Sequence, residues 1–192
     1  MAHDNKEIEI RFSLTENGFL DVKKKLSDIA KFVKKTKQVD DYFSPADGCF
    51  IKSDFPTQWL SIRRRGGTCT LNYKNWHVPE GADTGTHCDE FETAIESPEQ
   101  LENIFRAVGI RKLISVAKER ETWLFGDEFE VCLDDVEGLG FFVEIEAVGD
   151  LGSLENARQK LFCFAGMLGL DKSKTEKIGY VHQLLKKSGM IK

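Results

Sequence analysis

The sequence predicts an α+β domain in which antiparallel strands outnumber helices. Two observations carry that reading. Charged and apolar residues alternate along most of the chain, the mark of strands with one polar and one apolar face. Between these runs stand a few amphipathic segments with capped starts. No linker rich in proline and serine divides the 192 residues, so a single domain spanning 1–192 is expected.

Along the chain, Glu7, Glu9 and Arg11 share one strand face while Ile8, Ile10 and Phe12 share the other. A helix follows, with Phe19, Leu26, Ile29 and Val33 on one stripe; Lys23, Lys24, Lys25, Lys34 and Lys35 read as the solvated face of a helix. In residues 59–65, Ser61, Arg63 and Arg65 lie opposite Leu60 and Ile62. Gly66-Gly67 then makes a hairpin turn into residues 68–76, where Thr70, Asn72 and Lys74 share a face. Residues 78–86 read as a mobile loop, after which Glu90 and Glu92 alternate with Phe91.

Ser97-Pro98-Glu99-Gln100 is a helix start with a capping serine and proline at the first position. Leu101, Ile104, Phe105 and Val108 are expected to form its buried stripe, and Gly109 stops it. A long strand over 114–125 puts Lys118 and Arg120 on one face. Next, Glu128, Glu130 and Asp134 oppose Phe129, Val131 and Leu133. In residues 142–148, Glu144 and Glu146 oppose Val143 and Ile145. Two helices close the chain, over 153–168 and 173–187, the second with an S-x-x-E box at Ser173 and Glu176.

Composition narrows the function classes. A net charge of −5 argues against a protein that coats nucleic acid. No run approaches the ~20 apolar residues of a membrane span, and residues 1–6 lack the apolar core of a signal peptide. The five cysteines (Cys49, Cys69, Cys88, Cys132, Cys163) are odd in number and form no C-x-x-C pair. Reduced thiols in a cytoplasm are therefore expected. There is no G-x-x-x-x-G-K-[ST], so a P-loop is absent.

The polar faces hold charges of both signs on nearly every strand. Carboxylates two residues apart project the same way about 7 Å apart. Such pairs repel, and a hard divalent cation with oxygen ligands relieves the repulsion. Lys and Arg on other strands suit an anion rich in oxygens, such as a polyphosphate. Metal plus cations is what phosphoryl chemistry requires, because catalysis there is mostly positioning and charge neutralisation.

An ordered series of motifs resembles the CYTH superfamily of class IV adenylyl cyclases and thiamine triphosphatases. E-I-E-I-R from Glu7 is similar to that family's opening E-x-E-x-K; L-S-I-R from Leu60 is similar to its L-R-x-R strand, and T-L-N-Y-K ending at Lys74 to the next. L-D-D-V-E-G-L-G-F-F-V-E-I-E, ending at Glu146, resembles the class IV cyclase branch, and K-E-R-E-T-W from Lys118 and K-I-G-Y from Lys177 also fit. The resemblance implies a closed, roughly eight-stranded antiparallel barrel with charged faces inward and helices packed outside. It implies a metal role for Glu7, Glu9, Asp134, Glu144 and Glu146 with Mg²⁺ or Mn²⁺. It also implies substrate contacts from Arg11, Arg63, Lys74, Lys118, Arg120 and Lys177. Glu7, Glu9, Lys74, Lys118 and Arg120 form the implied catalytic set. For Glu90 and Glu92, a metal role and an ion-pair role are both open.

Two residues depart from the family pattern. Arg11 stands where lysine is usual, and Ser61 replaces the first arginine of L-R-x-R, leaving Arg65 on the same face as a substitute. Three functions follow in order: cyclisation of ATP to cyclic AMP and pyrophosphate, hydrolysis of inorganic, thiamine or nucleoside triphosphate, and a non-catalytic ligand-binding barrel. The last ranks lowest, because such a barrel should have an apolar interior. The expected partner is ATP or another triphosphate, with no nucleic acid and no membrane; oligomer size is open, a homodimer included.

Overall fold

The computed structural model describes residues 8–53, 55–78, 87–149 and 152–192. Glu7 and most of the expected mobile loop, residues 79–86, lie outside them. Eight strands are formed: β1 (Glu9–Leu14), β2 (Lys31–Pro45), β3 (Gln58–Arg65), β4 (Thr68–His77), β5 (His87–Ala94), β6 (Ile110–Phe125), β7 (Phe129–Val136) and β8 (Gly140–Ala147). The described helices are α1 (Glu16–Ile29), α2 (Pro98–Ala107), α3 (Leu154–Met167) and α4 (Tyr180–Lys187). This is the α+β class expected. The hydrogen-bonded order is β1-β8-β7-β6-β2-β3-β4-β5. It has two ends, β1 and β5, so among the described residues the sheet is open where a closed one was expected. No described helix is long and apolar enough to cross a membrane.

The chain falls into two compact units. The first comprises Lys37–Ala117 and Ile178–Lys192, and the second Glu7–Thr36 and Lys118–Lys177. In the second, alternation along β1, β7 and β8 sends Ile10, Phe12, Val131, Leu133, Val143 and Ile145 to one side. There they pack with Val22 and Leu26 of α1 and Leu161 and Phe164 of α3. Leu26 and Leu161 are fully buried, each contributing ~1.5–3 kcal/mol by the area rule. Thr15 caps α1 by accepting from the Gly18 amide, and Ser153 caps α3 by accepting from Asn156.

In the first unit the same alternation buries Phe43 and Ile62 against Phe105 of α2. Ser97 caps α2 by accepting from the Gln100 amide. Gly66 and Gly67 (φ 57° and 91°) turn β3 into β4 with left-handed backbone that a side chain would strain. On the apolar side Asp41 is buried in an ion-pair network. Lys112 Nζ and Ser115 Oγ each lie 2.6 Å from Asp41 Oδ1, and Arg64 donates to Oδ2 and, at 2.6 Å, to Glu102 of α2.

Three local readings are corrected. The first helix stops at Ile29, and Ala30 is already extended. Val33, Lys34 and Lys35 therefore lie on β2, and Lys35 Nζ is 2.9 Å from Glu119 on β6. Lys23 is not a bare solvated lysine either, since its Nζ reaches Glu121 at 2.8 Å. The Ser173–Glu176 box does not form. Asp171 caps a short 3-10 turn at Lys172–Lys174, Thr175 bridges to Phe12, and the Glu176 amide donates to the Arg11 carbonyl at 2.7 Å. Strand pairing takes the amide that the capping box would have used.

Candidate functional site

Each unit carries one charged strand face, built by register. In the second unit Glu9 stands opposite Glu146, and Glu146 opposite Glu130. The next row is Arg11, Glu144 and Cys132; the one after holds Ser13, Phe142 and Asp134, with Arg120 beside Asp134. Directly opposite residues point to the same side of a sheet, so these rows share one face.

The cations are clamped by carboxylates. Arg11 Nε lies 2.5 Å from Glu144 Oε1 and its Nη2 lies 2.9 Å from Glu9 Oε1. Arg120 Nε donates to Asp134 Oδ1 at 2.7 Å, while its Nη2 donates to Asp134 and to Glu144. Lys118 Nζ is 3.3 Å from Asp134 Oδ2. Burial alone would raise the Glu144 carboxyl, but Arg11, Arg120 and Lys118 outweigh it and hold it well below the ordinary range. The same partnership, Glu144 and then Asp134, keeps buried Arg120 charged. Burial pushes the Cys132 thiol up to about 12, so it stays protonated between the carboxylates.

This face holds the cations Arg11, Lys118 and Arg120 against the carboxylates Glu9, Glu130, Asp134, Glu144 and Glu146. Asp134, Glu144 and Glu9 each meet a guanidinium group, and Glu9, Glu146 and Glu130 also stand in one row of carboxylates. All-oxygen donors in such a row suit Mg²⁺ or Mn²⁺. As they stand, no three His, Cys, Asp or Glu among the described residues are set to hold a metal. Glu9 and Glu146, opposite each other in register, are the two carboxylates of this row on neighbouring strands β1 and β8.

In the first unit Asp40 stands opposite Arg63, Tyr42 opposite Ser61, and Trp59 opposite Lys74. Asn72 and Lys74 are in turn opposite Glu92 and Glu90. Arg63 Nη1 donates to Glu90 Oε1 at 3.2 Å and Glu92 Oε2 at 3.1 Å. Lys74 Nζ is 3.3 Å from Glu90 Oε2, and Asn72 Nδ2 donates to Glu90 at 2.6 Å. Burial would raise the Glu90 carboxyl, but Lys74 and Arg63 draw it below its ordinary value. Arg65 Nη2 donates to Asp40 Oδ2 at 3.2 Å. Burial, then Asp40, pushes the Tyr42 phenol up to about 12. His182 of α4 lies against Phe55 and Trp59, with ring centroids 5.5 Å and 6.5 Å away. One helix therefore meets an aromatic side chain of the charged face.

The expected residues thus gather in two sets. Glu9, Arg11, Lys118, Arg120, Asp134, Glu144 and Glu146 share the face of the second unit, and Arg63, Arg65, Lys74, Glu90 and Glu92 that of the first. Lys177 is exposed near the end of the second unit, on no strand. Sequence reasoning left Glu130, Cys132, Asp40 and Tyr42 out of the site. Glu130 and Cys132 are in phase with Asp134 on β7, and the alternation rule could have added them. Asp40 and Tyr42 were hidden because no strand was assigned over 31–45.

A model of the CYTH domain family matches residues 5–180. A protein of Methanocaldococcus jannaschii provisionally named an adenylate cyclase is 29% identical over 177 residues, which cover 91% of this chain and 96% of its own. Adenylate cyclase CyaB of Aeromonas hydrophila is 25% identical over 167 residues, covering 84% and 85%. Among solved structures, a Hippeastrum protein provisionally named an adenylyl cyclase, and described as revealing a dominant triphosphatase activity, superposes with a TM-score of 0.64 at 20% identity. That match covers 95% of this chain and 96% of the other.

Proposed function

The chain belongs to the CYTH domain family, and from that premise we propose that it is a metal-dependent enzyme that converts ATP to cyclic AMP and pyrophosphate. The observation that carries this is the pairing of guanidinium groups with carboxylates on largely buried strand faces. The Arg120 side chain is 15% exposed, with Asp134 at 0% and Glu144 at 9%. A face built only for solvation would leave such charges in water, because removing them costs several kcal/mol per ion. Relatives named as adenylate cyclases favour this chemistry.

On the face of the first unit Arg63, Arg65 and Lys74, and on that of the second Lys118 and Arg120, would supply charge-assisted contacts to phosphate oxygens. Glu9 and Glu146 would hold Mg²⁺ or Mn²⁺, which when bound offsets the negative charge of the phosphates. In the reaction the ribose 3′-oxygen gives up its proton to solvent water and bonds to the α-phosphorus. The bond from that phosphorus to the bridging oxygen breaks, and pyrophosphate leaves with the electron pair. Arg120, fixed on two sides by Asp134 and Glu144, has the rigidity needed to meet developing charge without reorganising.

A second reading, hydrolysis of a triphosphate, is favoured by the Hippeastrum neighbour described as a triphosphatase. Product analysis after incubation with ATP and Mg²⁺ or Mn²⁺ separates them. Cyclic AMP with pyrophosphate is expected. ADP, or phosphate released from tripolyphosphate, would select the hydrolase, and no turnover of either substrate with metal would overturn both.

A further inference from the structure

We propose that Asp40 is a positioning residue that holds Arg63 and Arg65 in place while a triphosphate takes over the outward contacts now made by Glu90 and Glu92. This rests on the triphosphate reading above. Asp40 on β2 is the register partner of Arg63 on β3, and Gln38, one step along the same face, is the partner of Arg65. One carboxylate oxygen, Oδ2, lies 3.2 Å from Arg65 Nη2 and 4.0 Å from Arg63 Nε. A single anion therefore sits between two cations.

The two ends of Arg63 live in different surroundings. Its inner partner, Asp40, has a side chain only 6% exposed. Its outer partner, Glu92, is 43% exposed. An exposed ion pair is weak and exchanges readily with solvent or another anion. A buried pair resists breaking, because separation strands a charge away from water. An arriving polyphosphate therefore displaces Glu92, then Glu90, and leaves Asp40 where it is.

Unused hydrogen-bonding capacity points the same way. Asp40 Oδ1, Arg63 Nε and Arg65 Nε are buried and have no hydrogen-bond partner among the described residues. Buried groups of this kind gain by finding partners. Arg63 Nε lies 4.0 Å from Asp40 Oδ2, so closing that gap would give the buried Nε a partner and leave Arg63 Nη1 to face phosphate. Asp40 also leads the neighbours that keep the buried Arg63 guanidinium charged against the opposing effect of burial.

Charge counting and positioning predict opposite signs for Asp40→Asn. Removing an anion beside two cations should tighten anion binding if net charge rules. If Asp40 positions them, affinity should instead fall roughly tenfold or more, the scale of one charge-assisted hydrogen bond. Glu92→Gln, which removes a competitor, should bind as tightly as the parent or more so. The experiment is calorimetric titration of each protein with inorganic tripolyphosphate in metal-free buffer, with circular dichroism to verify folding. Asp40→Asn at or above the parent's affinity overturns the proposal, as does an equal loss in Glu92→Gln. If Asp40→Asn does not fold, Asp40→Glu replaces it. It keeps the charge and moves the carboxylate by one methylene, so weakened binding supports positioning and unchanged binding overturns it. A parent that binds no tripolyphosphate, either in metal-free buffer or with Mg²⁺, would overturn the triphosphate reading and this inference together. A parent that binds, with Asp40 variants unaffected, overturns the inference alone.

Discussion

Glu9 on β1 and Glu146 on β8 stand directly opposite each other on one face, with Glu130 next in the same row. Like charges so placed destabilise a sheet, and a divalent cation with oxygen ligands is the natural remedy. Glu146→Gln should therefore weaken Mn²⁺ binding by roughly tenfold or more, on the scale of losing a supporting residue at a metal site. The metal-free melting temperature should stay at or above the parent's. Paramagnetic resonance titration of Mn²⁺ and a melting curve in chelator provide the two readouts. A lower melting temperature with intact Mn²⁺ binding would make Glu146 part of the scaffold.

The basic residues should divide by location. Arg63→Ala removes contacts on the charged face and should weaken tripolyphosphate binding by ~1.5–3 kcal/mol, with a salt-dependent affinity. Lys24 is exposed on α1, and Lys24→Ala should change binding and stability by no more than ~0.5 kcal/mol. Similar losses in the two variants would erase the distinction between site and surface lysines and arginines.

Ser61 lies on the Arg63 face, as its alternation requires, but it is only 1% exposed, in register between Tyr42 and Asn72. Restoring an arginine there by Ser61→Arg should cost ~1–3 kcal/mol of stability through overpacking. A melting curve unchanged from the parent's, with tighter tripolyphosphate binding, would show that the face has room for a further cation.

Asp41 provides a pH test away from the candidate site. Burial opposes ionisation, but the hydrogen bonds from Lys112 and Ser115 prevail and lower its carboxyl from the usual 3.8. A depressed carboxyl contributes stability that is present above its unfolded value and lost as pH falls through its folded one. Unfolding free energy should thus decline as pH drops below about 4. Asp41→Asn should lower it by ~1–3 kcal/mol at pH 7 and flatten that decline. Parallel acid profiles in both proteins would exclude Asp41 as a contributor.

Much of the fold was legible because the relevant rule is local. Successive side chains in a strand alternate sides, so Ile10 and Phe12 had to part from Glu9 and Arg11 whatever β1 paired with. The same rule separated Ile62 from Arg63 and Val143 from Glu144. Helix starts were equally local, since Ser97 needs only the amide of Gln100. Where two local options compete, the sequence decided less. Lys34 and Lys35 fit a helix surface by composition, yet pairing with β6 drew them into a strand, and Ser173 lost its box when Thr175 bridged to Phe12.

By itself, then, the sequence determined which residues of each legible strand share a charged face, though not those of β2, and its ordered motifs pointed to the family. Only the tertiary structure decided which charges meet. Arg11 and Glu144 are 133 residues apart, and their contact depends on the register of β1 against β8, which no local pattern encodes. Register also placed Glu130 beside Glu146 and put Asp40 between two arginines. Alternation fixes the side to which a residue points, because it follows from backbone geometry within one strand. Partner identity follows from how separate strands align, and that is set by burying the opposite, apolar face.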